Sequence, residues 1–145
     1  MLRKLLAYFM VLGVAPALDG YAIVEAGRSF DVQLSGRATP PNAGDPDGSG
    51  QAHLDVNPGR QLITWSITVT AIDTANAAHL HHGLPGQEGP VVVTFNPPPR
   101  GGASADTVHV DRALALDILR HPRDYYVDVH TLEYPAGAVR GALER

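Results

Sequence analysis

Cysteine is absent from all 145 residues, which excludes disulfides, thiolate metal sites, a cysteine nucleophile and a lipid-modified N-terminal cysteine. Lysine occurs once, at Lys4, so ten of the eleven basic residues are arginine and a Schiff-base or catalytic lysine is not expected. The formal charge of -4 gives no electrostatic footprint for nucleic acid. Long apolar runs are also missing. The longest, Leu5 to Leu18, is 14 residues and contains Gly13 and Pro16. Spanning a bilayer core needs about 20.

That run follows the basic start Met1-Leu2-Arg3-Lys4 and precedes small residues, the pattern of a secretory signal peptide over residues 1–22. Cleavage after Ala17 or after Ala22 fits. Removal of residues 1–22 takes Arg3, Lys4 and Asp19 and moves the formal charge from -4 to -5. It also takes both methionines, Met1 and Met10, leaving a mature chain without sulfur. Any metal must then be held by nitrogen and oxygen, which disfavours a soft, Cu(I)-preferring site. The expectation is an extracytoplasmic protein, periplasmic or secreted, with no membrane contact after cleavage and a single domain over 23–145.

What is abundant is turn chemistry: 15 glycines and 12 prolines. Between them the hydrophobic pattern alternates with period 2, the signature of half-buried strands. Ser29–Ser35 directs Phe30, Val32 and Leu34 to one face, Gln51–Asn57 directs Ala52, Leu54 and Val56, and Leu62–Val69 directs Ile63, Trp65, Ile67 and Val69. Further strands are expected at Ala77–His81, Val91–Phe95, Asp124–Thr131 and Ala138–Leu143. Loops are expected over 36–50 and 96–105. The one helix candidate is Asp111–Leu119, capped by Asp111, with Ala113, Leu114, Ile118 and Leu119 on its apolar side and Pro122 as its stop. The fold class is all-β, an antiparallel Greek-key sandwich or barrel with one short helix.

The histidines share a phase. His53, His79, His81, His109 and His130 each alternate with aliphatic neighbours and so project from the face opposite the core. His82 opens a loop. His121 ends the helix, where an imidazolium suits the dipole. In His79-Leu80-His81 the two rings stand on one side, about 6.5–7 Å apart along the strand, within reach of one ion at about 2.0–2.1 Å per bond. The proposed metal ligands are His79, His81 and His130, with His53 as a fourth, and Asp55 and Asp128 as acceptors that orient the rings. The affinity order favours copper, with zinc as the alternative. His109 reads as an exposed strand residue, and Arg140 as a structural arginine near a turn, paired with an acidic neighbour.

Ala78-His79-Leu80-His81 with Gly83, Pro85, Gly86 and Gly89-Pro90-Val91-Val92-Val93 resembles the first signature of the CHRD (chordin-type) domain. Tyr126-Val127-Asp128-Val129-His130-Thr131 with Pro135, Gly137, Val139-Arg140-Gly141 and Leu143 resembles the second. Pro40-Pro41, Gly48-Ser49-Gly50 and Ala52-x-Leu54 fall where that family has its upstream elements, so the resemblance runs from about Phe30 to Glu144. It implies an extracytoplasmic immunoglobulin-like or superoxide-dismutase-like sandwich, found in secreted bacterial proteins and in animal chordin, which binds growth factors. The departures are Asp128 where the family often has Asn, Ala142 where it often has Gln, and the additional His82. The family does not fix ligand specificity.

A more distant similarity is to copper-zinc superoxide dismutase, whose His-Val-His strand presents two copper ligands outside a β-barrel. That enzyme's zinc-loop histidines and its cysteines have no counterpart here, so the similarity bears on a histidine metal site rather than on dismutation. Three readings follow. The first is a metal-binding secreted module. The second is an interaction or structural module without metal, in which ring N–H groups tie loops to strands and the partner is another protein or a second copy of the chain. The third and weakest is a redox activity. No Gly-x-Ser-x-Gly elbow, phosphate loop, His-Glu-x-x-His helix or paired-carboxylate motif is present, so conventional catalysis is not expected.

Overall fold

The computed structural model describes residues 26–38, 44–84, 87–98 and 101–144. The leader read over 1–22 and its two cleavage positions lie outside the described residues, as do Pro40, Pro41, Pro85 and Gly86. Among the described residues the elements follow in order as β1 Arg28–Ser35, β2 Ser49–Asn57, β3 Leu62–Thr70, β4 Ala75–His82, β5 Val91–Phe95, β6 Ala103–His109, α1 Arg112–Arg120, β7 Tyr125–Thr131 and β8 Val139–Ala142. The alternation read from the sequence is the alternation observed. Phe30, Val32 and Leu34, then Ala52, Leu54 and Val56, then Ile63, Trp65, Ile67 and Val69 are buried, and their neighbours in each strand are not.

All strand pairs are antiparallel, in the order β5-β4-β7-β8-β1-β2-β3-β6. The chain crosses repeatedly between the β5-β4-β7-β8 half and the β1-β2-β3-β6 half, the Greek-key connection expected of a sandwich. One register pair, Ser35↔Arg140, joins the halves along β8 and β1. Beside it Gly141 is obligatory, because a Cβ there would sit 2.1 Å from the Gln33 carbonyl oxygen of β1. The sheet curls until its ends meet. The rings of Trp65 on β3 and Phe95 on β5 lie 4.7 Å apart in the core. At the seam, Asn96 Nδ2 donates to Asp106 Oδ2 (3.2 Å) and Ser104 Oγ donates to the Asn96 carbonyl (2.8 Å).

A single apolar cluster fills the interior. Side chains such as Leu54, Ile63 and Leu80 are fully buried, each contributing roughly 1.5–3 kcal/mol of transfer free energy. The helix begins one residue after its cap: Asp111 accepts from the Ala113 amide at 2.9 Å. It buries Ala115 and Ile118, with Leu114 and Leu119 half-covered, whereas Ala113 stays exposed. Strand β6 falls partly in the segment expected to be loop. Its residues Ala103, Ala105, Asp106, Thr107 and His109 are exposed, so it pairs with β3 through its backbone while presenting almost no apolar side chain to the core. Among the described residues no helix is long and apolar enough to cross a membrane.

Candidate metal centre

The site lies on the face of the β4-β7-β8 half that points away from the apolar cluster. Two strands each contribute residues at i and i+2: His79 and His81 from β4, Asp128 and His130 from β7. The antiparallel register sets His79 opposite Asp128, His81 opposite Tyr126, and Ala77 opposite His130. On the far side of β7, Arg140 of β8 stands opposite Asp128. Residues paired across neighbouring strands on one face have side chains in contact, so local alternation plus this register bring the four groups together.

His130 Nε2 is 3.0 Å from Asp128 Oδ1 and 3.1 Å from His79 Nδ1. Asp128 Oδ1 is also 3.2 Å from His81 Nε2 and 3.7 Å from His79 Nδ1. One ligand atom from each of the four residues lies within 4.8 Å of every other. Four donors held tetrahedrally at about 2.0–2.1 Å from one ion stand roughly 3.3 Å apart. Four of the six pairs, at 3.0–3.7 Å, are already near that spacing, while the set as a whole spreads to 4.8 Å, so the rings would draw in slightly around a cation.

This nominally outer face is roofed. Tyr126, Asp128 and Arg140 are buried, and His81 is only 9% exposed. The segment after β4 covers one side: the Gly89 carbonyl accepts from His81 Nδ1 at 2.7 Å, and the Gln87 carbonyl is 3.4 Å from Arg140 Nη1. The turn after β7 covers the other, where the Pro135 carbonyl accepts from His130 Nδ1 at 3.0 Å. Gly89 has no room for a side chain, since a Cβ there would sit 1.8 Å from the His82 carbonyl oxygen.

These carbonyl contacts settle the tautomers. A carbonyl oxygen only accepts, so Nδ1 of His81 and of His130 carries the proton and, in the neutral ring, Nε2 carries the lone pair. Both lone pairs then face the Asp128 carboxylate. The buried His81 Nε2 makes no hydrogen bond despite its 3.2 Å approach, and Asp128 Oδ2 and Arg140 Nε are likewise buried without a hydrogen-bond partner. Such groups are costly unless something occupies the space between them. Convergent lone pairs are satisfied either by added protons or by a cation.

The electrostatics follow. Burial pushes the Asp128 carboxyl up, but the hydrogen bond from His130 and the nearby positive charge of His130 and His81 outweigh it and hold the group at about 2. Arg140 Nη2 stands 3.7 Å from Asp128 Oδ2. His79 is held below the ordinary imidazole value, first by burial and then by the neighbouring His130 and His81, against the attraction of Asp128. His130 is held above it: burial lowers it, but the hydrogen bond to Asp128 and that carboxylate's charge raise it further.

His79, His81 and His130 are thus brought together; His53 is not. It stands on β2, in the other half of the fold, and four strand steps separate it from β4. Both of its nitrogens face carboxylates, Nδ1 toward Asp31 at 2.7 Å and Nε2 toward Asp55 at 3.5 Å. Asp55 in turn accepts from Ser29 Oγ and takes no part in orienting the cluster. The fourth place beside the three imidazoles is held by Asp128. The hydrogen bond to Asp31 is the main reason that His53 is raised above 6.5, with both carboxylates adding charge. A raised histidine stabilises the fold below its unfolded pKa and loses that contribution as pH rises through its folded value. The stability gap between the wild type and a His53→Gln variant is therefore expected to shrink as pH rises above the ordinary imidazole value of about 6.5. Urea unfolding across that range measures it.

The remaining histidines have other surroundings. The His121 ring bonds Asp117 at 3.0 Å, and His82 lies against the Tyr125 ring at 4.9 Å. His109 is exposed on β6.

A family model for the CHRD domain matches residues 30–143, which include every residue of the cluster and of its roof. Searches of the curated proteins and of the solved structures return no match. The match spans well over half of the chain, and the two strands that carry the clustered histidines and Asp128 lie within it. The chain belongs to the CHRD domain family.

Proposed function

We propose that this chain is an extracytoplasmic module that binds one transition-metal ion through His79, His81 and His130, with Asp128 as the oxygen donor. The observation that carries the reading is the commitment of Nδ1 of His81 and His130 to backbone carbonyls. That commitment turns both Nε2 lone pairs toward a buried carboxylate oxygen. Rings oriented by their far nitrogen are the usual supporting arrangement of a histidine metal site. Three imidazoles and a carboxylate form a nitrogen and oxygen donor set suited to Cu(II), Zn(II) or Ni(II). The affinity order puts copper(II) first and makes zinc the alternative. Placement outside the cytoplasm rests on the leader-like segment 1–22.

The test is metal content. Chain prepared without a histidine tag is loaded with Cu(II) or Zn(II), freed of excess and analysed for bound metal. Roughly one equivalent is expected for the wild type and for His53→Ala, falling below about 0.2 in the His79→Ala/His81→Ala double variant. Less than about 0.2 equivalents in the wild type overturns the reading.

A second reading draws on the same carbonyl contacts. Hydrogen bonds from His81 to Gly89 and from His130 to Pro135 tie two loops to the strands, as a structural or interaction module without metal requires. In that case the double variant loses stability and the wild type takes up no metal.

A further inference from the structure

Tyr126 is the residue to which the site is most closely tied without supplying a ligand atom. It occupies the central strand β7, directly opposite His81, with β4 on one side and β8 on the other. Its ring is stacked on that of His81, with centroids 4.8 Å apart and planes 5° from parallel. The Arg140 guanidinium lies over the Tyr126 ring at 4.1 Å. Its hydroxyl accepts from the Gly89 amide at 3.2 Å, and the carbonyl of that same Gly89 accepts the His81 Nδ1 proton at 2.7 Å. Tyr126 therefore touches His81 twice: through the stacked ring, and through the backbone group that fixes the imidazole's tautomer.

We propose that Tyr126 is the positioning residue of the metal centre, holding the plane and tautomer of His81 so that Nε2 faces Asp128 and His130. This inference rests on the metal-binding reading and deepens it. Without the hydroxyl, Gly89 loses the bond that sets its carbonyl against His81. Without the ring, His81 can rotate about its side-chain bonds and point Nε2 elsewhere. The Arg140 guanidinium, held between Asp128 Oδ2 and the Gln87 carbonyl, fixes the other partner of the Tyr126 ring. The fused contacts give Tyr126 a role distinct from core packing, in which shape alone would matter.

The experiment compares the wild type with Tyr126→Phe and Tyr126→Leu by two measurements. The first is nitrogen NMR of histidine-labelled, metal-free protein at about pH 8, above the ordinary imidazole pKa of about 6.5. The second is Cu(II) affinity by chelator competition, with the nitrogen hyperfine pattern of the bound copper. In Tyr126→Phe, which keeps the ring and loses only the bond to Gly89, affinity is expected to fall about tenfold with three nitrogens still coupled. In Tyr126→Leu the expected loss is about 100-fold, with two nitrogens coupled and the Nδ1–H tautomer of His81 no longer dominant.

Both variants binding copper within about twofold of wild type, with an unchanged hyperfine pattern, overturns the inference while leaving the metal site standing. A wild type that takes up no copper removes the metal reading. The inference about the metal centre falls with it, and the tautomer then tells only whether Tyr126 orients His81: an unchanged His81 tautomer in Tyr126→Leu overturns that as well. Should Tyr126→Leu fail to fold, Tyr126→Phe, whose ring fills the same space, decides on the hydrogen bond: affinity within about twofold of wild type overturns the inference.

Discussion

Asp128→Ala is expected to lower the unfolding free energy by about 3–5 kcal/mol, because it removes one partner of a buried charge pair and leaves the other. Arg140 is 5% exposed, its Nε has no hydrogen-bond partner, and its nearest anion is Asp128. With the carboxylate gone, a buried guanidinium faces three imidazoles. A partial recovery in Asp128→Ala/Arg140→Met would identify the orphaned charge as the cause, since removing both members of a buried pair costs far less than removing one. Acid unfolding adds a signature. The folded-state carboxyl is held at about 2 against an ordinary value of 3.8. A depressed carboxyl stabilises the fold above its unfolded pKa and loses that contribution as pH falls through its folded value. The wild type should therefore lose this contribution between pH about 4 and about 2, and Asp128→Asn, having no carboxyl to titrate, should not. Denaturant titrations at several pH values measure both effects. A loss under about 1 kcal/mol in Asp128→Ala, the range of a surface pair, would show that Asp128 is not part of a buried ionic network.

Much of this arrangement is legible in the residue order. The inward sets on β1, β2 and β3 follow from strict alternation, and the cap and stop of the helix follow from Asp111 and Pro122. Alternation also places the histidines on the face away from the core. It does not say which strands are neighbours. His53 has the same phase as His79 but stands four strand steps away, because the β4-β7 pairing joins segments about fifty residues apart, a choice made by the packing of the whole sheet. Asp128 reads from sequence as an orienting acceptor. The register instead places Oδ1 within 3.0–3.7 Å of a ring nitrogen from each of three histidines. An Asp-x-His pair on one strand, with the same two-residue period as His-x-His, is the signal that could have marked it. The roof leaves no mark in composition, since Gly89 and Pro135 act through backbone carbonyls that every residue possesses. Strand β6 was hidden for the opposite reason: its alanines, serine, aspartate and threonine pair through the backbone at an edge and carry little hydrophobic pattern.

Metal binding and proton binding should drive stability in opposite directions with pH. In the metal-free protein the convergent lone pairs are satisfied by protons. His130, raised by Asp128 despite its burial, stabilises the fold below the ordinary imidazole value and loses that contribution as pH rises through its folded pKa. In the loaded protein a protonated imidazole cannot ligate, so the apparent affinity falls about tenfold per pH unit for each proton that must be displaced. His130, raised, takes up a proton at higher pH than His79, which burial and its imidazole neighbours hold lower and which keeps its lone pair further into acid. At about pH 8, Cu(II) or Zn(II) in 100-fold excess over its dissociation constant should add ~2.7 kcal/mol to the unfolding free energy. That increment should vanish on adding a chelator and be absent from the His79→Ala/His81→Ala double variant. It should also shrink as the pH falls below the ordinary imidazole value of about 6.5, because protons then compete with the ion for the ring nitrogens. Thermal unfolding followed with and without metal across this range measures the two slopes. Equal slopes would mean that the cluster exchanges no protons for a cation, and would assign its convergence to the hydrogen-bonded framework alone.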